Sequence, residues 1–121
     1  MQIMKKVVII DDEIDVKMVL ELMISDVTEE FTSFTSPIDA EKYINEHKNE
    51  IAIIISDHRM PEMSGVDLFK SLENLKIPFA LCTGMHPGEI ADSIKSDLFY
   101  VMEKPFNEEE LIDLVKSFVN K

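Results

Sequence analysis

Five short apolar runs alternate with five stretches of helical period, in one unbroken order along the chain. "KVVII" (6–10) is followed by "EIDVKMVLELMISD" (13–26), in which Ile14, Met18 and Leu22, with Val19 and Met23, recur on one helical face. "EFTSFT" (30–35) alternates as a strand does, and "SPIDAEKYINEHK" (36–48) opens on Ser36, a natural N-cap, with Pro37 at the first helical position. "IAIIIS" (51–56) predicts a third strand, and "GVDLFKSLENL" (65–75) a helix with Val66, Phe69 and Leu72 three apart. "PFALC" (78–82), "GEIADSIKS" (88–96), "FYVM" (99–102) and "EEELIDLVKSFVNK" (108–121) complete the series as strand, helix, strand and helix.

Such alternation implies a parallel sheet, because parallel neighbours need a crossover and right-handed helical crossovers cover both faces. The runs at 6–10, 51–56 and 78–82 are close to continuously apolar, as strands buried on both sides should be. The expected fold is α/β: a doubly wound five-stranded parallel sheet, order 2-1-3-4-5, with five helices in a flavodoxin-like three-layer sandwich. No repeat, low-complexity tract or Gly/Ser/Pro-rich linker interrupts the pattern, so one domain spanning 1–121 is expected.

Composition narrows the function classes. At 121 residues, 45% hydrophobic and 30% charged, the chain reads as an ordinary globular domain able to bury one core without disulfides or a structural metal. Its apolar runs are far shorter than the ~20 residues that cross a bilayer, and "MQIMKKVVIIDDE" does not make a signal peptide. The single Cys82 cannot pair internally, which together with the missing leader sets the cytoplasm as the expected compartment. A formal net charge of −12 repels phosphate backbones and anionic lipid, so neither direct nucleic-acid binding nor membrane binding is expected.

Ligands of an open α/β sheet bind beyond the carboxyl ends of its strands. After the first strand come Asp11, Asp12 and Glu13; after the third, Asp57; after the fourth, Thr83 and Gly84; after the fifth, Lys104 and Pro105. Carboxylates gathered at one rim repel and raise one another's pKa unless a cation neutralises them. An all-oxygen set favours a hard divalent ion, Mg²⁺ with Mn²⁺ as its substitute, bound with positions left for water and phosphate. A metal, a lysine and a hydroxyl make a cradle for a phosphoryl group, whose transfer depends on positioning and charge neutralisation. Asp57, alone at the end of the central apolar run, is the candidate acceptor, since an aspartate forms an acyl phosphate directly.

"VVIIDDE", "IIISDHRMPEMSG", "ALCTG" and "EKPF", in this order and spacing, resemble the receiver domain of two-component response regulators over the whole chain. The resemblance implies that Asp57 is the phosphorylated aspartate, that Asp12 binds the metal directly and Asp11 through water, and that the backbone carbonyl of Arg59 is the third protein ligand. It implies that Thr83 hydrogen-bonds the phosphoryl group, that Lys104 pairs with it, and that the Lys104–Pro105 bond is cis. The implied donor is a phosphohistidine on a sensor kinase or histidine phosphotransfer protein, and the implied output is a change around the fourth helix, fifth strand and fifth helix, read by an effector the sequence does not name. Two positions depart from the family pattern: Val101 stands where an aromatic is usual, three before the lysine, and Gly84 where alanine is frequent.

Taken singly, these residues have plainer readings. Asp12 and Glu13 suit a helix first turn, Asp57 a turn before "RMPEMSG", Thr83 a strand end and Lys104 a solvated surface. Their coincidence at one rim carries the argument. His47, His58 and His86 share no metal-ligand spacing, Cys82 reads as a packing residue, and "NEEE" (107–110) as a dipole-favoured first turn. Met60 and Met63 are the methionines expected to be partly exposed. A haloacid-dehalogenase-type phosphatase would need a second acid two residues after the nucleophile, where Arg59 stands; a flavodoxin-like carrier would need a Ser/Thr/Gly-rich loop where "DDEID" stands. A receiver that works without phosphorylation would not keep this full set of residues. No helix-turn-helix follows the last helix, so direct transcriptional control is not expected.

Overall fold

The computed structural model describes residues 5–84, 90, 94, 96–104 and 107–119. Five strands run β1 (Lys6–Ile10), β2 (Phe31–Phe34), β3 (Ile51–Asp57), β4 (Phe79–Thr83) and β5 (Phe99–Glu103). All neighbouring pairs are parallel and the order is β2-β1-β3-β4-β5, as expected for the doubly wound fold. Four α-helices lie among the described residues: α1 (Ile14–Ser25), α2 (Pro37–Glu46), α3 (Gly65–Leu72) and α4 (Glu108–Val119). A fifth helix, expected over 88–96, falls largely outside the described residues.

Burial follows strand position. Every residue of β3 and β4 is buried, whereas the edge strand β2 is only half-buried. Alternating side chains of the central strands feed two cores. Val8, Ile10 and Ile54 pack with Leu68, Phe69 and Leu72 of α3; Val7, Ile9, Ile53 and Ile55 pack with Leu20 and Ile24 of α1 and Leu111 and Val115 of α4.

Helix ends follow local chemistry. Ser36 caps α2 by accepting from Asp39 N–H at 3.2 Å, with Pro37 opening the helix, and Ser64 caps α3 through Asp67 N–H at 3.1 Å. The helix read over 65–75 ends at Leu72 and tightens into a 3₁₀ turn at Glu73–Leu75, closed by Lys76 in the left-handed region (φ 59°).

α1 departs from the sequence reading. Of the five residues assigned to its apolar face, only Met23 is buried; the packed side carries Leu20, Met23 and Ile24 instead. Ile14 (61% exposed), Met18, Val19 and Leu22 (70%) face solvent. The helix is apolar on two sides, so a 3.6-residue period fits either stripe. No helix among the described residues is long and apolar enough to cross a membrane.

Candidate functional site

The carboxyl ends of β1, β3, β4 and β5 converge on an open cavity of about 400 Å³ walled by Glu13, Asp57, His58, Arg59, Thr83, Gly84 and Lys104. Asp57 is the last residue of β3 rather than the first of a loop, paired in register with Cys82. Its backbone is fixed on the far side as well. His58 N–H donates to the Cys82 carbonyl at 3.1 Å, and the His58 carbonyl accepts from Gly65 N–H at 2.7 Å. Gly65 is required for this approach, because a Cβ there would lie 2.5 Å from the Asp57 carbonyl oxygen and press on the Leu81 side chain. Around Gly84, by contrast, there is open space, which leaves that wall unobstructed.

Lys104 Nζ donates to Asp57 Oδ1 at 2.8 Å. Burial acts to lower the lysine pKa, but the hydrogen bond and charge of Asp57, with Asp11 and Cys82 behind it, outweigh burial and raise it, so the ammonium is held charged. The Lys104 backbone N–H also donates to the Thr83 carbonyl at 2.8 Å, which locks the end of β5 onto β4. Thr83 is 2% exposed and sits on the same wall. The Lys104–Pro105 bond lies outside the described residues.

Asp11, Asp12 and Asp57 each offer a carboxylate oxygen, all within 4.8 Å of one another. Burial pushes the Asp11 carboxyl up to about 6; the Glu13 N–H it accepts at 2.9 Å opposes this, Asp57 adds to it, Lys104 opposes and Asp12 adds a little more. One oxygen of Asp12 is buried without a hydrogen-bond partner. A crowded set of acids with an orphaned buried oxygen and a destabilised anion is short of positive charge, and one lysine does not supply enough. The donors are all oxygens, so the group that fits is a hard divalent cation, with Mg²⁺ suited to so few protein ligands.

Sequence reasoning placed the acids, Thr83 and Lys104 at this rim but missed His58. Glu13, placed at this rim by its position after β1, is the N-cap of α1 and lines the cavity. His58 also lines it, with Nδ1 buried and unpartnered; the signal available was its position next to Asp57. Cys82 is fully buried and its thiol is pushed up to about 12 by burial, which fits packing rather than nucleophilic chemistry.

Residues 7–116 match the family described as "Response regulator receiver domain". Among curated proteins, the chain is 27% identical to the cell cycle response regulator CtrA of Brucella ovis over 96% of its own length and 50% of that protein. It is 34% identical to the transcriptional regulatory protein FixJ of Rhizobium meliloti over 53% of its length and 33% of that protein. The chain thus spans half or less of the curated relatives it matches. Among solved structures, a response regulator receiver domain protein from Clostridium thermocellum superposes with a TM-score of 0.85 at 22% identity, covering 96% of this chain and 94% of that one. The Vibrio cholerae chemotaxis protein CheY4 superposes with a TM-score of 0.78 at 21% identity over 95% and 98%.

Proposed function

The chain belongs to the response regulator receiver domain family, and on that premise we propose that it is a phosphorylation-dependent switch whose acceptor is Asp57. An Asp57 carboxylate oxygen attacks the phosphorus of a phosphohistidine on a sensor kinase or histidine phosphotransfer protein. The new O–P bond forms as the N–P bond breaks, and the imidazole leaves with the electron pair. Lys104 follows the charge onto the phosphoryl oxygens, and the Thr83 hydroxyl donates to another of them. Asp11, Asp12, Asp57 and the Arg59 carbonyl would hold a divalent cation, Mg²⁺ or Mn²⁺, which when bound neutralises phosphoryl charge. Lys104 and Thr83 assist both making and breaking the adduct, so the domain promotes its own phosphorylation and dephosphorylation without turning over a soluble substrate.

The observation that carries this reading is the 2.8 Å Lys104–Asp57 pair set against three clustered carboxylates at one open cavity. A protein donor is supported by α1, which leaves Ile14, Met18, Val19 and Leu22 exposed immediately after the cavity-lining Glu13. Apolar side chains grouped beside a reacting group suit a protein–protein contact.

The test is incubation with phosphoramidate and Mg²⁺, followed by intact-mass measurement. One phosphoryl adduct is expected, sensitive to hydroxylamine, abolished by EDTA and absent in Asp57→Asn. A persistent adduct in that variant overturns the assignment.

A further inference from the structure

β2 and the turn after it supply none of the described walls of the cavity, yet that turn is tied to the same rim. Ser36 lies two residues beyond β2. Its hydroxyl accepts from Asp39 N–H at 3.2 Å as the cap of α2 and donates to Glu62 Oε1 at 2.8 Å. A carboxylate oxygen accepts, so the one hydroxyl proton goes to Glu62 and the lone pairs serve the cap.

Glu62 belongs to the loop between β3 and α3, residues 58–64, which also carries Arg59, whose backbone carbonyl is the third protein ligand proposed for the divalent cation. Every second residue of this loop is tied down. His58 closes its neck, donating to the Cys82 carbonyl at 3.1 Å and accepting from Gly65 N–H at 2.7 Å. Met60, 8% exposed, packs in the core of α3, and Ser64 caps that helix. Those ties stay within β3, β4 and α3. The tie at Glu62 reaches 26 residues back in the sequence, to the start of α2. Arg59 and Pro61, between the tied positions, are exposed. A carbonyl on such a loop is only as well placed as its neighbours hold it, and a metal ligand has to sit within about 0.5 Å of its working position.

We infer that the Ser36–Glu62 hydrogen bond is a latch that holds the β3–α3 loop in the shape presenting the Arg59 carbonyl to the cation, which makes Ser36 and Glu62 positioning residues of the metal site. The inference rests on the proposed cation site and extends its support to the strand that brings no donor of its own. One oxygen joins cap and latch, so the first turn of α2 and the loop are set together. Water competes for an exposed carboxylate, so the latch tunes affinity by a modest factor and does not decide whether the site exists.

Glu62→Gln and Glu62→Met are both uncharged and of similar length, and of the two only Glu62→Gln keeps an oxygen for the Ser36 hydroxyl. Neither touches the Asp39 N–H cap. Mn²⁺ binding, read from loss of the free-ion electron paramagnetic resonance signal, is expected to be roughly fivefold weaker in Glu62→Met than in Glu62→Gln. Amide exchange over 59–63 in EDTA is expected to be faster in Glu62→Met, with equal melting temperatures. Ser36→Ala is expected to weaken Mn²⁺ binding by a similar factor when added to Glu62→Gln and to leave it unchanged when added to Glu62→Met, although it removes the cap in both. Equal Mn²⁺ affinity in Glu62→Gln and Glu62→Met overturns the latch, and a difference confined to melting temperature does the same, since it marks a purely structural bond. Both results leave the cation site standing if Asp12→Asn weakens binding in the parent. Undiminished binding in Asp12→Asn overturns the cation site and the latch with it.

Discussion

Asp11 carries a charge that burial disfavours. Burial raises its folded pKa to about 6 from 3.8, so the native state binds its proton more tightly than the unfolded chain does. For a carboxyl shifted upward, the stabilising contribution is complete below the unfolded value and is lost as pH rises through about 4 to 6. Above that window the metal-free protein bears a cost that Asp11→Asn removes, since the amide oxygen still accepts from Glu13 N–H. Asp11→Asn is expected to melt higher than the parent at pH 7.5 in EDTA, with the gap closing toward pH 4; a lower melting temperature at pH 7.5 contradicts this account. At Cys82 the opposite kind of silence is expected. Its thiol, fully buried and pushed up to about 12, should resist iodoacetamide at pH 8 in the native protein and react fully in urea.

At the scale of elements, the tight seam is the one between β3 and the start of α3. Gly65→Ala forces a methyl into the Asp57 carbonyl and Leu81, an overpacking expected to cost about 1–3 kcal/mol in urea unfolding and to slow phosphorylation from phosphoramidate. Gly84→Ala, in open space, is expected within ~0.5 kcal/mol of the parent. This seam explains what could be read in advance. β1, β3 and β4 were legible because strands covered on both sides are apolar throughout, and the acids at their ends stood out against that background. α1 was misread because Ile14–Met18–Leu22 and Leu20–Met23–Ile24 satisfy the same period, and only packing against β1 and β3 selects between them. His58 was missed as a cavity wall because its placement depends on how the chain turns after β3, which periodicity does not encode.

For the whole molecule, the balance of charge sets the response to ions. Acidic residues number 24 against 12 lysines and arginines, and three of the acids converge on one point. Mg²⁺ should therefore raise the melting temperature at constant ionic strength, approaching about 2.7 kcal/mol of added stability at a hundred times its dissociation constant. Asp12→Asn should lose most of that gain, and an equal gain in both proteins would point to general screening. The strand order has a separate consequence at birth. β1 lies between β2 and β3, so one of its two hydrogen-bonding edges stays open until residue 57 has left the ribosome. The nascent half-domain thus presents "VVII" as an unpaired apolar edge for the time it takes to translate the 47 residues from Ile10 to Asp57. Codon rate and chaperone capture over that interval, more than the finished fold, should govern how much of the chain is recovered in soluble form.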